Sequence, residues 1–207
     1  MKRKASLARR RPFRDVQKRL LILCEGVVTE REYFIAFCRM ERNRLVEIKI
    51  GECGMVPKAL VEAAVAEKKR AEQEARREKD NNLKYDEVWC CFDVDEHPNI
   101  ADACQQANAH NIQLAISNPC FELWVYLHFA DHRAYIDRGV VQSHCKTHLP
   151  GYVKLIPLDQ IQPNYELAVT RASELDKMHE RHSTIGGNPS TGVYKLTERI
   201  RALNTKK

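Results

Sequence analysis

Short apolar runs alternate along this 207-residue chain with segments whose apolar residues recur at helical spacing, and that alternation restricts the fold more than any other feature. The stretch KRLLILCEG (18–26) holds an unbroken apolar run of the kind found in a strand buried on both faces. TEREYFIAFCRMERN (29–43) follows, with Tyr33, Phe34, Phe37 and Met40 on one helical stripe and Thr29 with Glu32 forming a capping-box pattern at its start. LVEIKIGEC (45–53) alternates as a second strand ending at Gly51. The segment 57–80 opens with Pro57 at a first helical position and runs into dense alternating charge, which predicts a helix whose second half is solvated. YDEVWCCFDVD (85–95) is the third strand, NIADACQQANAHN (99–111) the next helix, IQLAISNP (112–119) a fourth strand, and CFELWVYLHFA (120–130) a mostly buried helix. This order predicts an α/β fold, a parallel Rossmann-like sheet flanked by helices. From about residue 131 the pattern is helical, with amphipathic segments at 158–183 and 191–203 separated by the turn IGGNPS. The expected organisation is a basic arm (1–17), an α/β core (18–130), and a helical C-terminal extension packed on the core (131–207).

Composition narrows the setting. A hydrophobic share of 43% and a charged share of 30% describe a soluble globular protein. No apolar stretch approaches the roughly 20 residues that span a bilayer, so no membrane partner is expected. The N-terminus lacks the apolar segment of a secretory signal, and Arg9, Arg10 and Arg11 followed by Pro12 spoil the amphipathic helix of a mitochondrial presequence. Residues 1–19 hold nine Lys or Arg against the single acid Asp15. Such a segment binds polyanions by counterion release, or serves only as a solubilising tail. The eight cysteines form no C-x-x-C pair, and Cys24, Cys90 and Cys91 lie inside apolar runs. They read as reduced thiols acting as small hydrophobes, which points to a cytoplasmic protein. Around SHCKTH, His144, Cys145 and His148 are close in sequence, but a fourth zinc ligand at sensible spacing is missing.

Two of the predicted strands end in acids. The first stops at Glu25-Gly26; the third runs into Asp93-Val94-Asp95-Glu96. Parallel sheets place functional groups at the carboxyl ends of their strands. Residues i and i+2 of a strand face one side, so Asp93 and Asp95 can project toward one point. Adjacent carboxylates raise one another's pKa, and a hard divalent cation removes the conflict; oxygen ligands favour Mg²⁺ or Mn²⁺ over zinc. A D-x-D at a strand end is also compatible with a plain solvated turn.

LLILCEG with VWCCFDVD resembles the Toprim domain, in which an acid after the first strand and a D-x-D after a later one bind Mg²⁺. More narrowly, CEGVVTEREYF, FDVDEHP, ISNPCFELWVYLHF and NPSTGVYKL resemble the RloB-like proteins found near restriction and phage-defence systems, over about residues 20–200. The resemblance implies a Toprim-like core in which Glu25 is a general acid/base or metal ligand and Asp93 and Asp95 hold the metal. It places Glu30 where related nucleases carry a second acid after the Glu-Gly pair, although an acid in a first helical turn is favoured by the macrodipole anyway. Glu122, among Phe121, Leu123, Trp124 and Leu127, is a carboxylate needing a partner that a second metal would supply. Weaker substrate contacts fall to His97 (which can instead be a helix-entry residue before Pro98), to Asn118 (which can instead cap the next helix), and to Lys68, Lys69 and Arg70, with Arg76 and Arg77, on the charged helix, which also reads as a salt-bridged surface helix with no ligand. Ser190 or Thr191 is placed as an N-cap. Pro98 stands where many topoisomerase-type domains have glycine, and the chain lacks room for the further domains of a topoisomerase or primase.

The expected function is Mg²⁺-dependent cleavage of phosphodiester bonds in RNA or DNA in defence against phage, with an AAA-type ATPase as the partner the resemblance implies. The alternatives are a non-catalytic subunit that binds nucleic acid or a partner, and an enzyme acting on another phosphate ester.

Overall fold

The computed structural model describes residues 18–51, 55–94, 100–181 and 186–204. Strand β1 (Leu20–Cys24) is buried along its whole length because both of its faces are covered. Leu20, Ile22 and Cys24 enter one core layer, while Leu21 and Leu23 enter the other. Helix α1 (Thr29–Met40) then leads to β2 (Val46–Ile50), α2 (Pro57–Glu78) to β3 (Glu87–Asp93), and α3 (Ile100–His110) to β4 (Gln113–Asn118). These four strands are parallel in the order β2-β1-β3-β4, with Ile22 registered on Ile48 and on Trp89. The α/β, Rossmann-like expectation is met.

The helices divide between the faces. Leu60, Val61 and Ala64 of α2 and Ala103 and Ala107 of α3 cover Leu21, Leu23, Cys90 and Phe92. On the other face Tyr33, Phe34 and Phe37 of α1 pack with α4 (Glu122–Tyr126), α5 (Arg138–His148), α6 (Leu158–Ile161), α7 (Tyr165–Arg181) and α8 (Val193–Asn204). Cys90 and Cys91 face opposite layers, as neighbours on a strand must. Among the described residues every cysteine is a free thiol. The core of this second layer is continuous from Leu20 to Ile200, and Trp124 at its centre donates its indole N–H to the Tyr33 hydroxyl at 2.7 Å. Among the described residues no helix is long and apolar enough to cross a membrane.

Local differences from expectation have identifiable causes. The C-terminal part is helical but also returns β5 (Ser190–Thr191), antiparallel to β4. Ser190 and Thr191 of the NPST segment are therefore the sheet's last strand, and Thr191 still accepts from the Val193 N–H at 3.3 Å as α8 begins. The segment 158–183 does not form one helix. Pro163, which has no N–H to donate, falls in a 3₁₀ turn (Gln162–Asn164) between α6 and α7. The Thr29–Glu32 capping box is not made: Val28 occupies the cap position without a side-chain bond, and the Thr29 hydroxyl interacts with Tyr152 instead. Pro57 does open α2.

Candidate functional site

A cavity of ≈ 470 Å³ opens at the carboxyl ends of β1 and β3. Three carboxylates reach it from separate elements: Asp93 from the last position of β3, Glu30 from the first turn of α1, and Glu122 from the first turn of α4. Asp93 shares the strand face of Trp89 and Cys91, so it points toward the layer of C-terminal helices. The wall opposite is cationic and polar. Arg138, Gln142 and Lys146 of α5 supply it, together with Tyr152 and Lys154.

Glu30 is the most confined acid, only 7% exposed. Its carboxylate lies against the backbone of Gly26, so that a Cβ at position 26 would fall on it; this close approach is what glycine permits here. Burial pushes the Glu30 carboxyl above the ordinary range. Its own backbone N–H opposes that shift, the charges of Glu122 and Glu25 add to it, and Arg138 works against it. Asp93 is 8% exposed and stands 3.5 Å from an Arg138 guanidinium nitrogen. Glu122 accepts from the Tyr152 hydroxyl at 3.3 Å and from the Gln142 amide at 3.4 Å, and burial followed by the Glu122 charge raises the Tyr152 phenol. The partner that Glu122 needs is thus present in the protein itself, from α5 and the segment after it.

The remaining predicted residues divide sharply. Glu25 follows β1, with its N–H donating to Cys91 at 3.0 Å; it does not line the cavity but is near enough for its charge to act on Glu30. Asp95, Glu96 and His97 lie outside the described residues. Asn118 neither caps α4 nor faces the cavity. Its amide donates to Gly186 at 2.7 Å and its carbonyl oxygen accepts from Asn188 at 3.1 Å, which pins the end of β4 to the segment that precedes β5. Lys68, Lys69 and Arg70 are at the far end of the sheet. Lys68 donates to the carbonyls of His110 and Asn111, which end α3 just before β4 starts at Gln113, and Arg70 pairs with Glu67 at 2.6 Å. Asp93 is registered four residues further along, on Ser117, about 13 Å away along the strand. Those cations do not face the acids. His144, Cys145 and His148 also form no metal centre: His144 stacks on Tyr126, His148 on Phe129, and Cys145 is buried against the Glu122 carbonyl.

The donor chemistry of the cavity, oxygen-only and mutually repelling at Glu30, suits a hard divalent cation. Among the described residues, however, no three Asp, Glu, His or Cys side chains are gathered as a ready ligand shell. The residues that sequence reasoning missed are Arg138, Gln142, Lys146, Tyr152 and Lys154. Arg138, Gln142 and Lys146 are single polar residues of α5, and Tyr152 and Lys154 lie in the irregular segment after it; none is part of a local motif, and Arg138 is 45 residues from the aspartate it meets.

Fold and cavity together define a Rossmann-like α/β protein whose acids, at the carboxyl end of a parallel sheet, face a cationic wall built by its C-terminal part. The chain belongs to the RloB-like protein family, whose model matches residues 20–200. Comparison with curated proteins and with solved structures yields no match.

Proposed function

We propose that this RloB-like chain is a Toprim-type, Mg²⁺- or Mn²⁺-dependent nuclease that hydrolyses phosphodiester bonds in nucleic acid, RNA such as tRNA or DNA, as part of phage defence. One observation carries the reading: Asp93, Glu30 and Glu122 line a single cavity opposite Arg138, Lys146 and Lys154, with Glu25 close behind. An acidic floor alone repels a phosphodiester. A cationic wall beside it gives the phosphate a place to bind while the acids remain available. Asp93, Glu30 and Glu122, with Glu25 and Asp95, are the residues that would hold the cation. When bound, such an ion polarises the phosphate and lowers the pKa of its water.

The chain's own groups supply the rest. Arg138, Lys146 and Lys154 hold the non-bridging oxygens, with the Arg138 fork suited to two of them. Glu30, whose carboxyl is biased toward its protonated form by burial, can carry a proton to or from the reacting oxygens. Gln142 and Tyr152 fix the Glu122 carboxylate against the repulsion of an incoming anion.

A second reading has its own observation. Asp93 already has Arg138 as a counter-charge, and the described residues form no three-ligand shell. That state of affairs fits a subunit that binds nucleic acid without cutting it and acts beside an AAA-type ATPase, the partner suggested by the family resemblance. The test is incubation of the purified chain with mixed RNA and DNA in Mg²⁺, Mn²⁺ or EDTA, alongside Asp93→Ala and Glu25→Ala. Cleavage in metal that is absent in EDTA and in both variants supports the nuclease. Binding without cleavage in every arm supports the second reading.

A further inference from the structure

A second cavity, of ≈ 570 Å³, lies at the opposite pole of the molecule, between the end of α1 and the outer strand β2. Arg39, Arg42 and Arg44 surround it, and Ile35, Val46 and Ile48 form its half-buried aliphatic floor. We propose that this pocket is a binding site for single-stranded nucleic acid, separate from the acidic cavity: the three guanidinium groups grip successive phosphates and the aliphatic floor takes an unstacked nucleoside.

The first support is charge. Arg19, Arg31, Arg70, Arg77, Arg133, Arg138, Arg199 and Arg201 each have a carboxylate partner, whereas Arg39, Arg42 and Arg44 have none among the described residues; Arg76, Arg171 and Arg181 also have none there, but they do not line this pocket. The acids nearest in sequence face elsewhere. Glu41 is directed to Arg201, and Glu47, on the other face of β2, is taken by Arg19, Lys49 and Tyr85. Three exposed arginines around one concavity with no acid of their own are a site for an external polyanion.

The second support is rigidity. Asn43 is buried between Arg42 and Arg44, and it fixes the turn that carries them. Its N–H donates to Cys38 at 2.8 Å, its side-chain amide to Ile200 at 3.0 Å, and its side-chain oxygen accepts from Leu45 at 3.0 Å. The turn between α1 and β2 is thereby held in one shape before any ligand arrives, which reduces the ordering cost of binding. Arg42 itself is in the left-handed region, at φ 53°, with its N–H on the Arg39 carbonyl at 3.0 Å.

The third support is the floor. A duplex keeps its base faces stacked inside, so aliphatic side chains flanked by guanidinium groups gain little from it. A single strand can lay a base or sugar on Ile35, Val46 and Ile48. The chain also enters the sheet at this corner, where the Leu20 N–H donates to the Leu45 carbonyl at 3.0 Å.

The experiment measures anisotropy of short fluorescein-labelled poly(U) on the full chain in EDTA, at several salt concentrations, for wild type and the triple variant R39Q/R42Q/R44Q. Because no metal is present, a chain that cleaves nothing can still pass this test, and failure here leaves the hydrolytic proposal standing. Each lost phosphate contact flattens the slope of log K against log[salt] by about 0.7, so the triple variant is expected to lose about 2 from the slope and roughly tenfold or more in affinity at low salt. Should the triple variant fold poorly by circular dichroism, the single Arg44→Gln variant is expected to lose about 0.7 on its own. An unchanged slope overturns the site. Equal affinity for a duplex of the same length overturns the single-strand assignment, and displacement of poly(U) by poly-glutamate at equal charge makes this an acidic-protein site instead.

Discussion

Gly26→Ala tests how the acidic cavity is built. Gly26 is outside the left-handed region, so alanine meets no backbone penalty there; the obstacle is the Glu30 carboxylate lying where the new methyl group goes. Two outcomes compete. If Glu30 stays, the overpacked contact costs about 1–3 kcal/mol. If Glu30 rotates away, the cost is a rotamer adjustment of about 0.5–1.5 kcal/mol. A cavity of ≈ 470 Å³ lies directly beside it, so the second route wins. Alanine also restricts the unfolded chain, which returns about 0.4–1 kcal/mol. The net change in stability is therefore expected within about 1 kcal/mol of zero, while the carboxylate moves from a buried cradle toward water. That displacement has a direct readout in ¹³C carboxyl NMR. In wild type Glu30 titrates above the ordinary glutamate range, because burial and then the Glu122 and Glu25 charges favour the protonated form. In Gly26→Ala its midpoint falls back toward that range. The linked stability follows: between the ordinary and the raised value the folded state binds more protons than the unfolded, so wild-type stability declines as pH rises through that window. The decline is weaker in Gly26→Ala and absent in Glu30→Gln. A Glu30 midpoint at or below the ordinary value in wild type, or one that Gly26→Ala does not move, refutes this picture of the site.

Three further outcomes are expected. His128 is buried with its Nδ1 against the Trp124 carbonyl, and burial pushes its pKa down to about 4; the unfolded state then binds the extra proton below pH 6.5, so stability is lost as pH falls from 6.5 to 4, by up to about 3 kcal/mol, and this slope disappears in His128→Gln whatever that variant's absolute stability in urea melts. Trp124→Phe leaves the buried Tyr33 hydroxyl without its donor and is expected to cost about 1–3 kcal/mol in urea denaturation, a cost under 0.5 showing that the bond contributes nothing net. Lys68→Met removes a cap from the end of α3, and is expected to cost under about 1 kcal/mol and to leave any cleavage rate unchanged, since Lys68 does not face the acids.

What the sequence discloses and what it hides follow from how far apart the interacting residues are. The strands were legible because a strand covered on both faces must be apolar at every position, and LLILC and VWCCF leave no other environment in which to sit. Asp93 was legible for the converse reason, as a charge at the point where such a run ends. The cationic wall was not. Arg138 and Lys146 are ordinary surface-type residues of a helix and Lys154 lies in the bend after it; only packing of α5 against α4, and the turn that follows α5, bring them to the cavity of Asp93 and Glu122. The placement of the charged helix was hidden for the same reason. Its cations are dense in sequence, but an α2 that runs back along the sheet carries them away from the strand ends, and Lys68 ends as a cap on α3. Glu122 shows the effect within a single residue. Its apolar neighbours correctly signalled a carboxylate in need of a partner, but the partners, Gln142 and Tyr152, come from segments 20 and 30 residues downstream. The C-terminal region is therefore half of the site rather than an appendage to it. Removing the α5 wall while leaving the sheet intact, as in R138Q/K146Q, is expected to abolish phosphate-ester binding at the cavity and to free the Asp93 carboxylate from its counter-charge. If the double variant binds inorganic phosphate as wild type does, the acids do not need that wall and the pairing of floor with wall is wrong.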